Sequence, residues 1–157
     1  MSNIIVGAVL ALPASFFAWL AYNWGGKPIL DVRAARLDAL KAAELYSFKG
    51  FGYSDDETNA ARRALSDAAN ALRALSRGQP WTARLYCQAL GYDLELSASV
   101  LMGFVGLVGA ALGHGNSSRR DGVDAVHVLL NATQHLTNER VNEVKEKLRT
   151  ALALPRG

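Results

Sequence analysis

The first 26 residues contain no Asp, Glu, Lys or Arg, and this restricts the chain more than any other feature. The run from Ile4 to Tyr22 is almost wholly apolar or aromatic. A helix of about 20 residues, rising about 1.5 Å per residue, spans the roughly 30 Å hydrocarbon core of a bilayer. Ile4, Val6, Leu10, Phe16, Phe17 and Leu20 supply lipid-compatible surface. Trp19, Tyr22 and Trp24 gather at the far end, where amphipathic rings favour the headgroup zone. Pro13 removes one helix hydrogen bond, so a kink is expected there, with Ser15 close enough to help satisfy the freed backbone. Residues 1–26 are therefore expected to form a transmembrane anchor, with the lipid bilayer as the first partner.

A secretory signal is the main alternative. It requires a positively charged segment before the apolar run. Met1-Ser2-Asn3 supplies no charged side chain, and the run closes on aromatics instead of a small-x-small site. An uncleaved anchor fits better. Lys27, Arg33 and Arg36 follow it, and no Lys or Arg precedes it. The positive-inside bias then places the N-terminus outside and residues 27–157 in the cytoplasm, with a bacterial inner membrane as the expected location.

The body reads as helices. Gly25-Gly26 is expected to break away from the anchor, and Pro28 suits a helix start because its missing N–H costs nothing there. The spacing puts Leu30, Ala34, Leu37 and Leu45 on one face of a helix to about Phe48. Ser54-Asp55-Asp56-Glu57 is a capping box with acids in the first turn, which accounts for the acidic trio without a cation. Ala61, Leu65, Ala68, Leu72 and Leu75 then alternate by four and three, a packing seam whose alanines admit a close neighbour. Gly78 and Pro80 end that helix.

A short helix from Pro80 to Leu90 carries Trp81, Arg84, Leu85 and Tyr86, with Gly91 as its cap. Packing on neighbouring helices is the ordinary reading of its aromatics, and a headgroup layer is the alternative. Asp121 and Thr137 are candidate caps for two further helices. No segment alternates with the period of a half-buried strand. The fold class expected is all-α, one transmembrane helix followed by a bundle of about five to six helices.

A second uncharged run, residues 96–113, has two readings. Gly103, Gly106 and Gly109 recur every third residue and would form a helix-packing surface in a membrane. In a bundle the same run is a fully buried helix. Its length is short for a span, and Arg119 and Arg120 would emerge on the wrong side. The buried helix is the preferred reading, with a second span kept open. The stretches Gly91–Glu95 and Leu101–Gly103 resemble parts of small membrane-anchored bacterial proteins, a likeness that carries no activity or site residue with it.

Chemistry is sparse. Net charge is +3, but acids interleave with bases instead of leaving a basic stripe, which argues against nucleic acid. The lone Cys87 has no partner for an internal disulfide and sits in an apolar context. No two of His114, His127 and His135 have the i, i+4 spacing of paired helix ligands. Neither a nucleophile elbow nor a phosphate-cradling glycine loop is present. Ser117, Ser118, Arg119 and Arg120 close a glycine-rich stretch that reads as a loop able to hold a phosphate or a partner. No cofactor, metal or small-molecule substrate is indicated. The function expected is a membrane-anchored interaction or accessory-subunit module without catalysis, working with a protein partner or a second copy. The alternative is a two-span protein that oligomerises and remodels the bilayer.

Overall fold

The structure, a computed structural model, describes residues 15–47, 54–78, 80–109 and 116–153. Every regular element among them is helical. Residues 15–21 are α-helical and run into a π-helical turn, Tyr22–Gly26, which runs on into α1, Lys27–Tyr46. Then come α2 (Asp55–Gly78), α3 (Trp81–Leu90), α4 (Leu94–Leu107), α5 (Asn116–Leu129) and α6 (Asn138–Ala153). Gly25-Gly26 does not interrupt the helix as the sequence suggests. Both stay helical, and the Lys27 N–H reaches back five residues to the Tyr22 carbonyl.

The central pair is α2 against α4, with α1 on another side of α2 and α5 covering α4. Ala61, Leu65, Ala68 and Leu72 line the buried face of α2, and Leu75 packs partly buried at its edge. Facing them, α4 buries Leu94, Ala98, Leu101 and Phe104. Ser54 and Glu57 exchange the capping-box bonds at the start of α2, Glu57 N–H to Ser54 Oγ (3.3 Å) and Ser54 N–H to Glu57 Oε2 (3.1 Å).

The first helix inverts its expected face. Val32, Ala35, Ala39, Ala42 and Ala43 are buried, whereas Leu30, Leu37 and Leu45 are exposed. At about 100° per residue, Leu37 lies about 200° round from both Ala35 and Ala39, on the opposite side. The leucines do share a face, but the alanines are the ones pressed inward, where small side chains let α1 approach α2 closely. Phe48 lies outside the described residues.

Among the described residues no single helix is long and apolar enough to cross a membrane. One pair, Trp81–Leu90 with Leu94–Leu107, meets the requirement jointly but is bent by 76°. The bend is a glycine cap. Gly91 has φ +67°, and Tyr92 and Gly91 donate backward to the carbonyls of Cys87 (2.9 Å) and Gln88 (3.2 Å). That is a Schellman closure, and Asp93 then caps α4 by accepting from the Leu96 N–H (2.9 Å).

Helix α5 starts at Asn116, five residues before the expected cap at Asp121. Asp121 is instead an ion-pair partner of α6. Thr137 does cap α6, accepting from the Arg140 N–H (3.3 Å).

Candidate functional site

The charged residues singled out in the sequence mostly hold the bundle together. Arg36 Nε donates to the Leu130 carbonyl (2.8 Å) and Nη2 to that of Asn131 (3.1 Å). Its guanidinium also lies 5.3 Å from the Tyr92 ring centroid, within cation–π range. Arg33 Nε donates to the Tyr86 hydroxyl (3.0 Å), tying α1 to α3. Lys27 pairs with Asp31 one turn on (2.8 Å), and that hydrogen bond raises its pKa. Of the three bases expected beside a membrane, two are thus tertiary fasteners.

The described part of the expected phosphate loop, residues 116–120, is the start of α5. Ser117 and Ser118 fall within that helix. Arg119 is 1% exposed and donates from Nη2 to the Leu107 carbonyl (2.7 Å). Arg62, from α2, donates to the next carbonyl, that of Val108 (3.0 Å). Two guanidinium groups therefore meet the negative end of the α4 dipole, where cations are stabilising. The pair closes a helix end and leaves Arg119 turned inward.

Arg120 stays exposed and lines an open cavity of about 630 Å³ with Asp121, Asp124, His135 and Arg140. The charges of Asp121, Asp124 and Arg140 are committed. Arg140 reaches Asp121, Asp124 (2.7 Å) and Glu143 (2.8 Å), and Lys147 reaches Asp121 and Glu143 (both 2.8 Å). Lys147 bonding holds the Asp121 and Glu143 carboxyls below their ordinary range, with Arg140 adding to it. This is a brace between α5 and α6.

His127 is buried in α5, its Nδ1 3.2 Å from the Ala132 carbonyl and its ring 4.2 Å from that of His135. Burial, then the neighbouring His135, pushes its pKa down. The Cys87 thiol is buried in α3 and pushed up by that burial, away from nucleophilic use. Among the described residues no group of three or more His, Cys, Asp or Glu is placed to hold a metal.

What remains is apolar surface. Phe16, Phe17, Trp19, Tyr22 and Trp24 are all exposed, on every side of the helix that leads into α1. Leu20 is half-buried, and Ile4, Val6, Leu10 and Pro13 lie outside the described residues. Leu30 (52%), Leu37 (52%) and Leu45 (62%) form an uncovered stripe on α1. Trp81 (62%) and Leu85 (53%) stand out from α3, whereas Tyr86 packs against the core. The Thr82 hydroxyl donates to the Trp24 carbonyl and fastens the start of α3 beside the π turn.

Gly103 and Gly106 also face outward. A β-carbon at either would meet nothing within 4 Å among the described residues, so neither provides a close approach to them. Gly109 lies past the end of α4 at φ +87°, where a β-carbon would stand 3.2 Å from Thr58 Cγ2. The sequence signal for the packed side of α1 is its second apolar face, Ala35, Ala39, Ala42 and Ala43, which a leucine-based reading passes over.

Comparison with protein-family models, with curated proteins and with solved structures finds no match to this chain.

Proposed function

We propose that the chain is a membrane-anchored helical interaction module without catalytic activity, its first 26 residues lodged in a bilayer and its bundle held on the cytoplasmic face. The observation that carries this reading is the leucine stripe of α1. Leu30, Leu37 and Leu45 are left uncovered on a helix that continues directly from the uncharged N-terminal run. Fully burying a leucine is worth about 1.5–3 kcal/mol, so a partner helix laid on three half-exposed ones gains a few kcal/mol. Tethering raises the local concentration near membrane partners, which makes such a modest contact sufficient. Asp31, Asp38, Lys41 and Glu44 flank the stripe with both signs of charge, the setting of a protein contact.

The test is photo-crosslinking from position 37 in native membranes, with position 39 as the buried control. A discrete adduct from 37 alone supports the reading. No adduct from 37, or release of the chain by alkaline carbonate, overturns it.

A second reading has its own support. The α3–α4 pair has the combined length and apolarity of a broken span, and Gly103 and Gly106 present open small-residue surface. In that reading the chain crosses twice and oligomerises. Deleting residues 1–26 separates the two, since a truncated chain that remains in water has no second span.

A further inference from the structure

We infer that the exposed face of α3, built on Trp81, Arg84 and Leu85, rests on the headgroup layer of the bilayer as a second lipid contact and fixes how the bundle stands on the membrane. The inference rests on the anchor reading above and adds to it a place where the folded body meets lipid.

Position comes first. The Thr82 hydroxyl bonds the Trp24 carbonyl, and one turn further along α3 Tyr86 meets Arg33, further along α1. The two helices therefore run in the same direction, and the first turn of α3 lies at the end of the body nearest Trp24. Trp24 is the last aromatic of the uncharged run, so it marks the headgroup boundary. Trp81 sits at about that level. Leu85, one turn on, is about 6 Å higher along the axis, within a polar zone of about 5–8 Å on each side of the hydrocarbon core. By the same rise Leu37 stands about 20 Å and Leu45 about 30 Å beyond Trp24, out of reach of lipid. Height thus separates Trp81 and Leu85 from Leu37 and Leu45 and gives the two pairs different occupants.

Charge points the same way. Helix α3 carries Arg84, which is exposed, and no acidic residue. A tryptophan, a leucine and an arginine on one outward face, without a carboxylate, is the make-up of a helix that lies in an anionic interface. The α1 stripe, bordered by Asp31, Asp38 and Glu44 as well as Lys41, mixes both signs and lacks that complementarity. Trp81 and Trp24 then form one aromatic shelf, with Arg84 above it to meet lipid phosphates.

The chain has three tryptophans, so Trp19→Phe with Trp24→Phe leaves Trp81 as the only reporter. The full-length chain is reconstituted in vesicles of phosphatidylcholine and phosphatidylglycerol, three to one, with and without phosphatidylcholine brominated near the glycerol end of its acyl chains. The expected result is blue-shifted Trp81 emission that brominated lipid quenches, and loss of that quenching in Leu85→Glu with helical circular dichroism retained. Unquenched Trp81 emission from chain that stays with the vesicles through alkaline carbonate overturns the second contact and leaves the anchor standing; that outcome includes a protein partner on α3. Chain washed off by carbonate overturns both.

Discussion

Gly122 lies against the ring of Phe104, so close that a β-carbon at that position would stand 2.7 Å from Cζ. The contact sets the separation of α5 from α4, the two helices that share the Phe104 and Val126 part of the core. Gly122→Ala pushes the ring or the helix aside. Overpacking of this kind costs about 1–3 kcal/mol despite the better helix propensity of alanine. Chemical denaturation should show a lower midpoint, and Gly122→Ala with Phe104→Leu should recover part of the loss.

Gly91 is held at φ +67° by the closure that turns α3 into α4. An L side chain there costs about 1–2 kcal/mol. Gly103→Ala is the matching control, because that glycine is helical and faces open space. The two substitutions should move stability in opposite directions, Gly91→Ala down and Gly103→Ala up by about 0.5–1 kcal/mol.

The inverted first helix is testable by a pair of changes two residues apart. Leu37→Lys should leave folding stability within about 0.5 kcal/mol, since the side chain is exposed. Ala39→Leu should cost about 1–3 kcal/mol by forcing α1 away from α2. Thermal melts of the two variants would order them directly, and the reverse order would place the leucines inside.

The brace between α5 and α6 has a defined pH response. Lys147 first, and Arg140 after it, hold the Asp121 and Glu143 carboxyls low. A lowered folded-state pKa means that the stabilisation is complete above the ordinary carboxylate value near 4 and is lost as pH falls through the lowered values. Lys147 is raised, so its share persists below about pH 10 and disappears as pH rises beyond its folded value. Unfolding temperature followed from neutral pH to about pH 2 should drop more steeply in the parent than in Asp121→Asn with Glu143→Gln. Added salt should weaken the dependence, because these groups are partly exposed.

Local signals in the sequence were informative where one residue acts on its own helix. The Ser54–Glu57 box, Gly91, Thr137 and the Ala61–Leu72 seam are all visible without a structure, because capping and periodicity are near-neighbour effects. The arginines were not. Arg36, Arg62, Arg119 and Arg140 each bond to a group from another helix or the turn beyond it, so sequence spacing says nothing of their partners. Arg119 is the clearest case. Beside glycines and serines it reads as an anion binder, yet its Nη2 donates to the Leu107 backbone carbonyl at the end of α4. The start of α5 was misplaced for a related reason: Asp121 has the chemistry of a helix cap, but α6 supplies it with better partners.

The π turn at Tyr22–Gly26 holds one residue more than a regular α-helix would use over the same length. Residues 15–21 are thereby rotated by about 100° relative to α1. The bearing of Trp19 and its neighbours around the helix axis, measured against the alanine side of α1, depends on that one surplus residue. Deleting Gly25 would turn residues 15–21 about the helix axis relative to the bundle and break the Thr82–Trp24 hydrogen bond that fastens α3 beside the turn.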